Sequence, residues 1–137
     1  MTQEDKQLLL KDLCARLPYH PIVRWTCDGK ELDEVLKHLS ELQIFWITRS
    51  NNVEVKPYLR PMSSMTEEEV KEIQKINWQF GKSKSGECYV GDADDGYCSV
   101  SQMVDILGYL NEHHFDYRGL IEKGLAIEVT EENNPYN

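Results

Sequence analysis

The sequence lacks the short motifs that identify the commonest catalytic and metal-binding sites. Its four cysteines form no Cys-x-x-Cys pair, which argues against a zinc ribbon and a thioredoxin-type redox site. It has no Gly-x-Ser-x-Gly nucleophile elbow, no Gly-x-x-x-x-Gly-Lys-Ser/Thr phosphate-binding loop and no glycine-rich dinucleotide fingerprint after a strand. These absences remove the common enzyme classes, although not every enzyme, and we expect no cofactor.

Basic residues are also few. Lys and Arg number 15 against 24 Asp and Glu, which gives a formal net charge of −9 at pH 7, and the densest basic stretch is Lys82, Ser83 and Lys84. Nucleic-acid affinity depends on neutralising phosphates with such residues, so we predict no nucleic-acid binding and no docking on anionic lipid. Binding to a basic protein surface stays open, whereas mimicry of a nucleic acid ranks last because the acidic residues are dispersed.

Long apolar runs are absent as well. The longest strictly apolar run covers residues 44–47, whereas a membrane-spanning helix needs about 20 residues. The first residues are charged and lead into a helical pattern, unlike a signal peptide. These features predict a cytoplasmic protein with free thiols and no membrane contact.

What is present suffices for one packed domain. A chain of 137 residues, of which 40% are apolar, has the usual size of a single domain and is too hydrophobic for a disordered chain. Trp25, Trp46 and Trp78 are candidates for its core. We predict one α+β domain over residues 1–137, in which three main helices pack on a small, mostly antiparallel sheet.

Three capping patterns predict where the main helices begin. In each pattern a Thr or Ser is followed three residues later by a side chain that can bond back to the helix start. The pairs are Thr2 with Asp5, Thr66 with Glu69 and Ser99 with Gln102. The predicted helices run from about 2 to 17, from 66 to just before Gly81, and from 99 toward His114.

The spacing of apolar residues predicts which faces of these helices are buried. Cys14 falls on the apolar stripe of the first helix and is expected to be a buried thiol. The predicted buried face of the last helix comprises Val100, Met103, Val104, Leu107, Leu110 and His114.

Strands are predicted over about 20–27, 43–48, 53–56 and 125–129, where β-branched and aromatic residues cluster or alternate. Asp28 and Gly29 form a strong hairpin signal, but apolar residues between Leu32 and Leu42 recur at helical spacing. The sequence therefore favours a helix over 31–42 and leaves a second strand as the alternative. The polar segment 130–137 is predicted to be a frayed tail.

The acidic segment 91–96 is similar to a calcium-binding loop at first sight. An EF-hand loop that started at Asp92 would need an oxygen ligand at Gly96, a glycine at Tyr97 and a glutamate at Met103. The pattern fails at all three positions. We therefore predict an acidic, solvated turn and no calcium site.

The richest polar cluster comprises His113, His114, Asp116, Tyr117 and Arg118. If the helix continued, His113 and Asp116 would share a face and could bind one metal or act as a base with its orienting carboxylate. A structural role is favoured, because histidines suit helix C-termini and Asp116 can cap the next turn. Spacing identifies no third ligand. We assign no catalytic or metal residue and keep this cluster as the candidate site.

Three longer segments carry a specific pattern: residues 7–19 (QLLLKDLCARLPY), 55–69 (VKPYLRPMSSMTEEE) and 113–127 (HHFDYRGLIEKGLAI). The pattern resembles an uncharacterised family of small proteins from gut-commensal anaerobes, their prophages and mobile elements. This chain has Tyr19-His20-Pro21 where such sequences commonly have Tyr-Gly-Val. The resemblance implies a phage or mobile-element context, and it implies neither an activity nor site residues.

Two functional hypotheses follow from these observations. The first is a non-enzymatic protein that binds and modulates another protein, and it predicts an exposed apolar or acidic patch. The alternative is a small metal-dependent or His/Asp-based hydrolase that uses the cluster at 113–118, and it requires those side chains to converge in a pocket. The sequence sets no oligomeric state.

Overall fold

The computed structural model describes residues 1–83, 87–90 and 98–137, and every element below belongs to this part of the chain. The α-helices are α1 (Gln3–Arg16), α2 (Glu41–Arg49), α3 (Glu67–Gln74) and α4 (Val100–Glu112). The strands are β1 (Ile22–Cys27), β2 (Lys30–Val35), β3 (Val53–Pro61), β4 (Phe80–Lys82), β5 (Cys88–Val90), β6 (Phe115–Asp116) and β7 (Ile127–Glu128). The predicted α+β single domain is confirmed, and the expected calcium-free turn at 91–96 lies outside the described residues.

The main sheet is mixed, and its long strand pairings are antiparallel as predicted. Its strand order is β2-β1-β3-β6, and β7 also pairs with β3. Strand β1 is antiparallel to both β2 and β3, whereas β3 runs parallel to β6 and β7. Strands β4 and β5 form a separate antiparallel pair. The parallel pairings bring the chain that follows α4 back alongside β3.

The three predicted capping boxes are all present. At α3, Thr66 Oγ1 accepts a hydrogen bond from the Glu69 backbone N–H at 3.2 Å, and the Thr66 N–H donates to Glu69 Oε1 at 3.0 Å. The same reciprocal pair forms at Thr2 and at Ser99. Each box satisfies two backbone donors that the helix leaves unpaired. Among the described residues, no helix is both long and apolar enough to cross a membrane.

The preference for a helix over 31–42 is wrong, because this segment begins with the second strand of a hairpin. Asp28 and Gly29 have φ values of 52° and 78°, as a two-residue hairpin turn requires, and Cys27 pairs with Lys30. Across the hairpin, Arg24 Nε donates to Asp33 at 2.8 Å and the Trp25 indole N–H donates to Glu34 at 2.9 Å. Turn geometry and cross-strand pairs thus outweigh the helical spacing of the leucines.

The predicted strand over 43–48 is also wrong, because these residues lie in α2. A fourth capping box forms between Ser40 and Gln43, at 2.9 and 3.1 Å, and it starts the helix just before the apolar run. Ile47 is buried, whereas Ile44 and Phe45 are exposed. The apolar run is therefore one turn of a surface helix and not a buried strand. The predicted strand over 53–56 is confirmed as part of β3, which pairs with β1.

Two hydrophobic clusters form the core. The first lies where α1 and α2 pack on the main sheet and contains Leu9, Leu13, Val23, Leu36, Ile47, Val55, Leu59, Leu120 and Leu125. The second joins α3, β4 and α4 and contains Met65, Val70, Ile73, Phe80, Ile106, Leu110 and Phe115. The segment after α4 contributes to both clusters, so it links the two halves of the domain.

Several predicted core residues lie elsewhere. Cys14 is exposed, because the buried stripe of α1 consists of Leu9, Asp12, Leu13 and Arg16. Trp78 is 78% exposed. Trp25 and Trp46 are half-buried and meet edge to face, with ring centroids 6.0 Å apart. All four cysteines are unbridged.

The segment expected to be a frayed tail is anchored near its end. The Tyr136 hydroxyl donates to the Tyr58 carbonyl at 2.8 Å and accepts from the Ile22 N–H at 3.0 Å. Its ring stacks on His114 with centroids 3.6 Å apart. Burial raises the pKa of Tyr136 to about 12, so the hydroxyl keeps its proton as a donor. The tail therefore returns to the sheet and closes over β1 and β3.

Candidate functional site

The predicted polar cluster lies where α4 ends. The helix stops at Glu112, His113 is its C-cap, and His114 follows with φ of 64°. This left-handed conformation, which glycine usually adopts at this position, turns the chain sharply into β6. Because the helix does not continue, His113 and Asp116 do not share a helical face. The spacing that suggested a common metal is therefore not realised.

The two histidines have different environments. The His113 ring lies against Tyr109, with centroids 4.2 Å apart, and its Nδ1 is 4.0 Å from Glu69 Oε2. The His114 ring is stacked against Tyr136 near the end of the tail. Burial, followed by the positive charge of Arg16, lowers the pKa of His114 to about 4. His114 is thus a neutral, packed ring at ordinary pH.

Asp116 caps the segment that follows, as the sequence predicted. Its two carboxylate oxygens accept hydrogen bonds from the backbone N–H groups of Leu120 and Ile121, each at 2.9 Å. Tyr117 donates its hydroxyl proton to Asn111 Oδ1 at 2.9 Å. The hydrogen bonds of both side chains therefore hold the chain after α4 in place.

Arg118 reaches an ion pair that sequence reasoning missed. Asp12 and Arg16 of α1 are both fully buried, and Arg16 Nε lies 2.7 Å from Asp12 Oδ2. Arg16 also donates to the Phe115 carbonyl at 2.7 Å, and Arg118 Nε lies 3.3 Å from Asp12 Oδ1. The spacing offered a signal, since Asp12 and Arg16 stand on the same stripe as Leu9 and Leu13.

A second ion pair fixes the other side of the cluster. Arg60 of β3 donates two hydrogen bonds to the Glu69 carboxylate, at 2.8 and 2.7 Å, and its guanidinium lies 4.1 Å from the Phe115 ring centroid. Burial opposes ionisation of Glu69, but the bonds from Arg60 and Thr66 outweigh it and lower its pKa to about 2. Arg60 and Glu69 therefore connect β3 and α3 to the segment after α4.

The side chains of the cluster at 113–118 connect secondary-structure elements and do not converge on one reaction site. Within residues 1–83, 87–90 and 98–137, no three His, Cys, Asp or Glu side chains lie close enough to share a metal. Asp116 is committed to backbone donors, and His113 and His114 contact different partners. This arrangement can rigidify the domain, and it does not bring a nucleophile, a base and an orienting group together.

The packed state of His114 predicts a pH effect on stability. Between pH 6.5 and 4 the unfolded chain binds a proton that folded His114 rejects, so stability is lost as pH falls through this window. We expect the wild-type free energy of unfolding to fall by roughly 1 to 2 kcal/mol more between pH 7 and 5 than that of His114→Asn. Asparagine tolerates the left-handed backbone and cannot titrate. Equal pH dependence in urea unfolding of both proteins would contradict the account.

Half of the residues predicted for the buried face of α4 are exposed. Ile106, Leu110 and Asn111 point into the protein, whereas Val100 is 83%, Val104 61% and Met103 38% exposed. Helical spacing cannot distinguish these two adjacent apolar faces, because α4 is apolar around more than half of its circumference. The prediction was correct for Leu110 and wrong for Val100, Met103 and Val104.

The exposed face of α4 continues into a large open cavity, which we call the α4 groove. Its volume is about 980 Å³, and it lies between α4, the β4–β5 pair and the segment after β6. Apolar lining residues include Phe80, Tyr89, Met103, Leu107, Leu110 and Ile121. Met103 and Leu107 belong to the same helical face as Val100 and Val104. The groove and the exposed stripe therefore form one apolar surface.

One wall of the α4 groove depends on a glycine. Tyr89 of β5 lies directly over Gly81 of β4, so that a Cβ atom at position 81 would come 2.7 Å from the Tyr89 hydroxyl. Strand pairing sets this approach, since Gly81 and Tyr89 are direct partners in the β4–β5 pair. The tyrosine ring remains half-exposed at the groove.

The charged groups of the α4 groove have one sign. Among the described residues that line it, the charged side chains are Asp116, Glu87, Glu122 and Glu128, and there is no Lys, Arg or His. Asp116 is buried and hydrogen-bonded, whereas the three glutamates are exposed. Lys82 of β4 instead donates to the carbonyls of Ser63 and Met65 at 2.8 and 2.7 Å. The surface is an apolar groove with an acidic rim.

Comparison with known proteins gives no further assignment of this site: no protein-family model, no curated protein and no solved structure matches the chain significantly.

Proposed function

We propose that this chain is a non-enzymatic protein that binds another protein through the α4 groove. The observation that carries the proposal is the continuous apolar surface formed by the groove and by Val100, Met103 and Val104 of α4. Monomeric proteins rarely expose a large contiguous apolar patch unless it binds something. A shallow apolar groove with polar edges is also the usual form of a protein-binding surface.

The hydrolase alternative has less support. It requires His113, His114 and Asp116 to converge on a pocket, whereas each of these side chains contacts a different partner. Asp116 and Tyr117 do line the α4 groove, but their hydrogen bonds tie them to the chain itself. An apolar cavity with anchored polar groups favours binding over catalysis.

The family resemblance supplies the biological context of the proposal. It implies an origin in a prophage or another mobile element. We propose that the partner is a protein of the host cell or of the element itself, whose activity the contact modulates. The negative charge and the missing catalytic motifs support the same interpretation.

A photo-crosslinking phenylalanine analogue at position 104 tests the proposal directly. We expect it to yield one discrete adduct with another protein in cells that express the chain, which mass spectrometry can identify. The matched control carries the analogue at position 32 on the edge strand β2, because Leu32 is 63% exposed and Val104 61%. Equal exposure makes the two positions equally accessible to chance encounters.

The purified pair then provides the decisive comparison. Binding should be lost with Val104→Asp and retained with Leu32→Asp, because a carboxylate in the middle of an apolar contact remains desolvated and unpaired. Adducts at both positions, at neither position, or equal affinity of both variants would contradict the proposed function.

A further inference from the structure

We propose that the segment occupying the α4 groove is a basic amphipathic helix of the partner protein. This inference rests on the proposed function and adds the chemistry of the partner. It is drawn from two features of the groove: the sign of its charges and the helical spacing of its apolar lining.

Charge complementarity indicates that the partner segment is positively charged. The exposed charges of the described lining are Glu87, Glu122 and Glu128, and they are carried by three different segments of the chain. A partner with Lys or Arg beside its apolar residues would meet carboxylates on both sides of the groove. An acidic partner would be repelled by these carboxylates, which disfavours its binding and lowers its association rate.

The long-range field acts in the same direction. The whole chain carries a formal charge of −9, so a basic segment is attracted before contact and an acidic segment is repelled. The same field disfavours an anionic membrane as the occupant. Membrane docking of an apolar helix face generally relies on Lys and Arg at its border, whereas glutamates border this one.

The shape of the lining favours a helix over an extended peptide. Val100, Met103, Val104 and Leu107 recur at the i, i+3, i+4 and i+7 spacing of one helical face, and the first three of them are exposed. A second helix packs against such a face by inserting its own apolar residues between the turns, as in other helix-in-groove complexes. This face spans about two turns of α4, which gives the partner helix a contact of the same length.

Three synthetic peptides distinguish the possible occupants. Each is an amphipathic helix of about 18 residues, or five turns, with the same leucine face and with a polar face of Lys, Gln or Glu. We expect the Lys peptide to bind roughly tenfold more tightly than the Gln peptide at low salt, and the Glu peptide to bind least. Raising the ionic strength to about 0.5 M should remove most of this advantage. Fluorescence anisotropy measures all three affinities.

Matched variants show whether binding occurs at the groove. Replacing Glu87, Glu122 and Glu128 together by Gln should remove most of the Lys-peptide advantage, whereas the same change at Glu4, Glu131 and Glu132, which are exposed elsewhere, should leave it nearly intact. Val104→Asp should weaken the Gln peptide as well, since it alters the apolar contact itself. Vesicles of anionic lipid should not bind.

The outcomes separate the inference from the proposed function. Suppose that the Gln or Glu peptide binds as well as the Lys peptide and that Val104→Asp still abolishes binding. The groove is then the binding site, but the inference that its partner is basic is wrong. If the Lys peptide binds Val104→Asp as tightly as wild type, or if the protein binds anionic vesicles in the absence of peptide, the inference is overturned. If no peptide binds but crosslinking at position 104 yields a discrete partner, the inference fails and the proposed function survives.

Discussion

Replacing Asp12 by alanine is expected to lower the free energy of unfolding by about 3 to 5 kcal/mol. The carboxylate is fully buried and holds Arg16 at 2.7 Å and Arg118 at 3.3 Å. Without it, the fully buried Arg16 guanidinium has no counter-ion and must keep its charge, because arginine does not lose its proton in proteins. A loss of this size is a large part of the stability of a typical domain, about 5 to 15 kcal/mol. Urea unfolding measures it.

An exposed ion pair provides the control for Asp12→Ala. Glu72 lies 2.9 Å from Lys75, but both side chains are more than half exposed, so Glu72→Ala should cost less than about 0.5 kcal/mol. The double variant Asp12→Leu with Arg16→Met should recover part of the loss, because it removes both buried charges. If Asp12→Ala costs no more than Glu72→Ala, Asp12 does not hold the junction as described.

Replacing Tyr136 by alanine is expected to cost roughly 3 kcal/mol, the lower end of aromatic-to-alanine changes in cores. The variant removes the stack on His114 and the hydrogen bonds to Ile22 and Tyr58. Tyr136→Phe keeps the ring and loses only the hydroxyl, so we expect it to cost about 1 kcal/mol. Thermal or urea unfolding separates the two contributions.

Residues of the same tail provide the control for Tyr136→Ala. Glu131 and Glu132 are exposed, and their replacement by alanine should change stability by less than about 0.5 kcal/mol. A frayed tail would make Tyr136→Ala equally harmless. That result would restore the expectation drawn from the polar sequence of 130–137 and would contradict the anchoring contacts.

The features predicted correctly from the sequence are those that depend on residues close together in the chain. A capping box needs only two side chains three positions apart, and the boxes at Thr2, Thr66 and Ser99 all form. Asp116 likewise caps the segment that directly follows it. In each case the hydrogen bonds are local, so no knowledge of the remaining fold is needed.

The wrong predictions arise where composition and spacing describe a segment without its partners or its helix cap. The leucines from 32 onward fit a helix by spacing, but strand β2 is stabilised by the side chains of Arg24 and Trp25 across the hairpin. The run 44–47 fits a buried strand by composition, but the capping box between Ser40 and Gln43 starts a helix there. Composition and period describe a segment alone, and its partners are chosen by the whole sheet.

The candidate site was only partly predictable for the same reason. The cluster at 113–118 was recognised from its polar residues, but its ion-pair partners lie about a hundred residues away in α1. The α4 groove was missed because its apolar residues were assigned to the core. Nothing in the spacing of Val100, Met103 and Val104 indicates that Ile106 and Leu110 already occupy the available core space.

The central claim is that the Val100, Met103 and Val104 face of α4 is free to bind a partner. The free energy of unfolding of Val104→Asp, compared with wild type and Leu32→Asp, tests it most directly. Because Val104 is 61% exposed, the account predicts a change of less than about 0.5 kcal/mol for both variants. A loss of about 3 kcal/mol or more for Val104→Asp alone, as expected for an unpaired charge placed in a core, would show that this face is buried and would contradict the account.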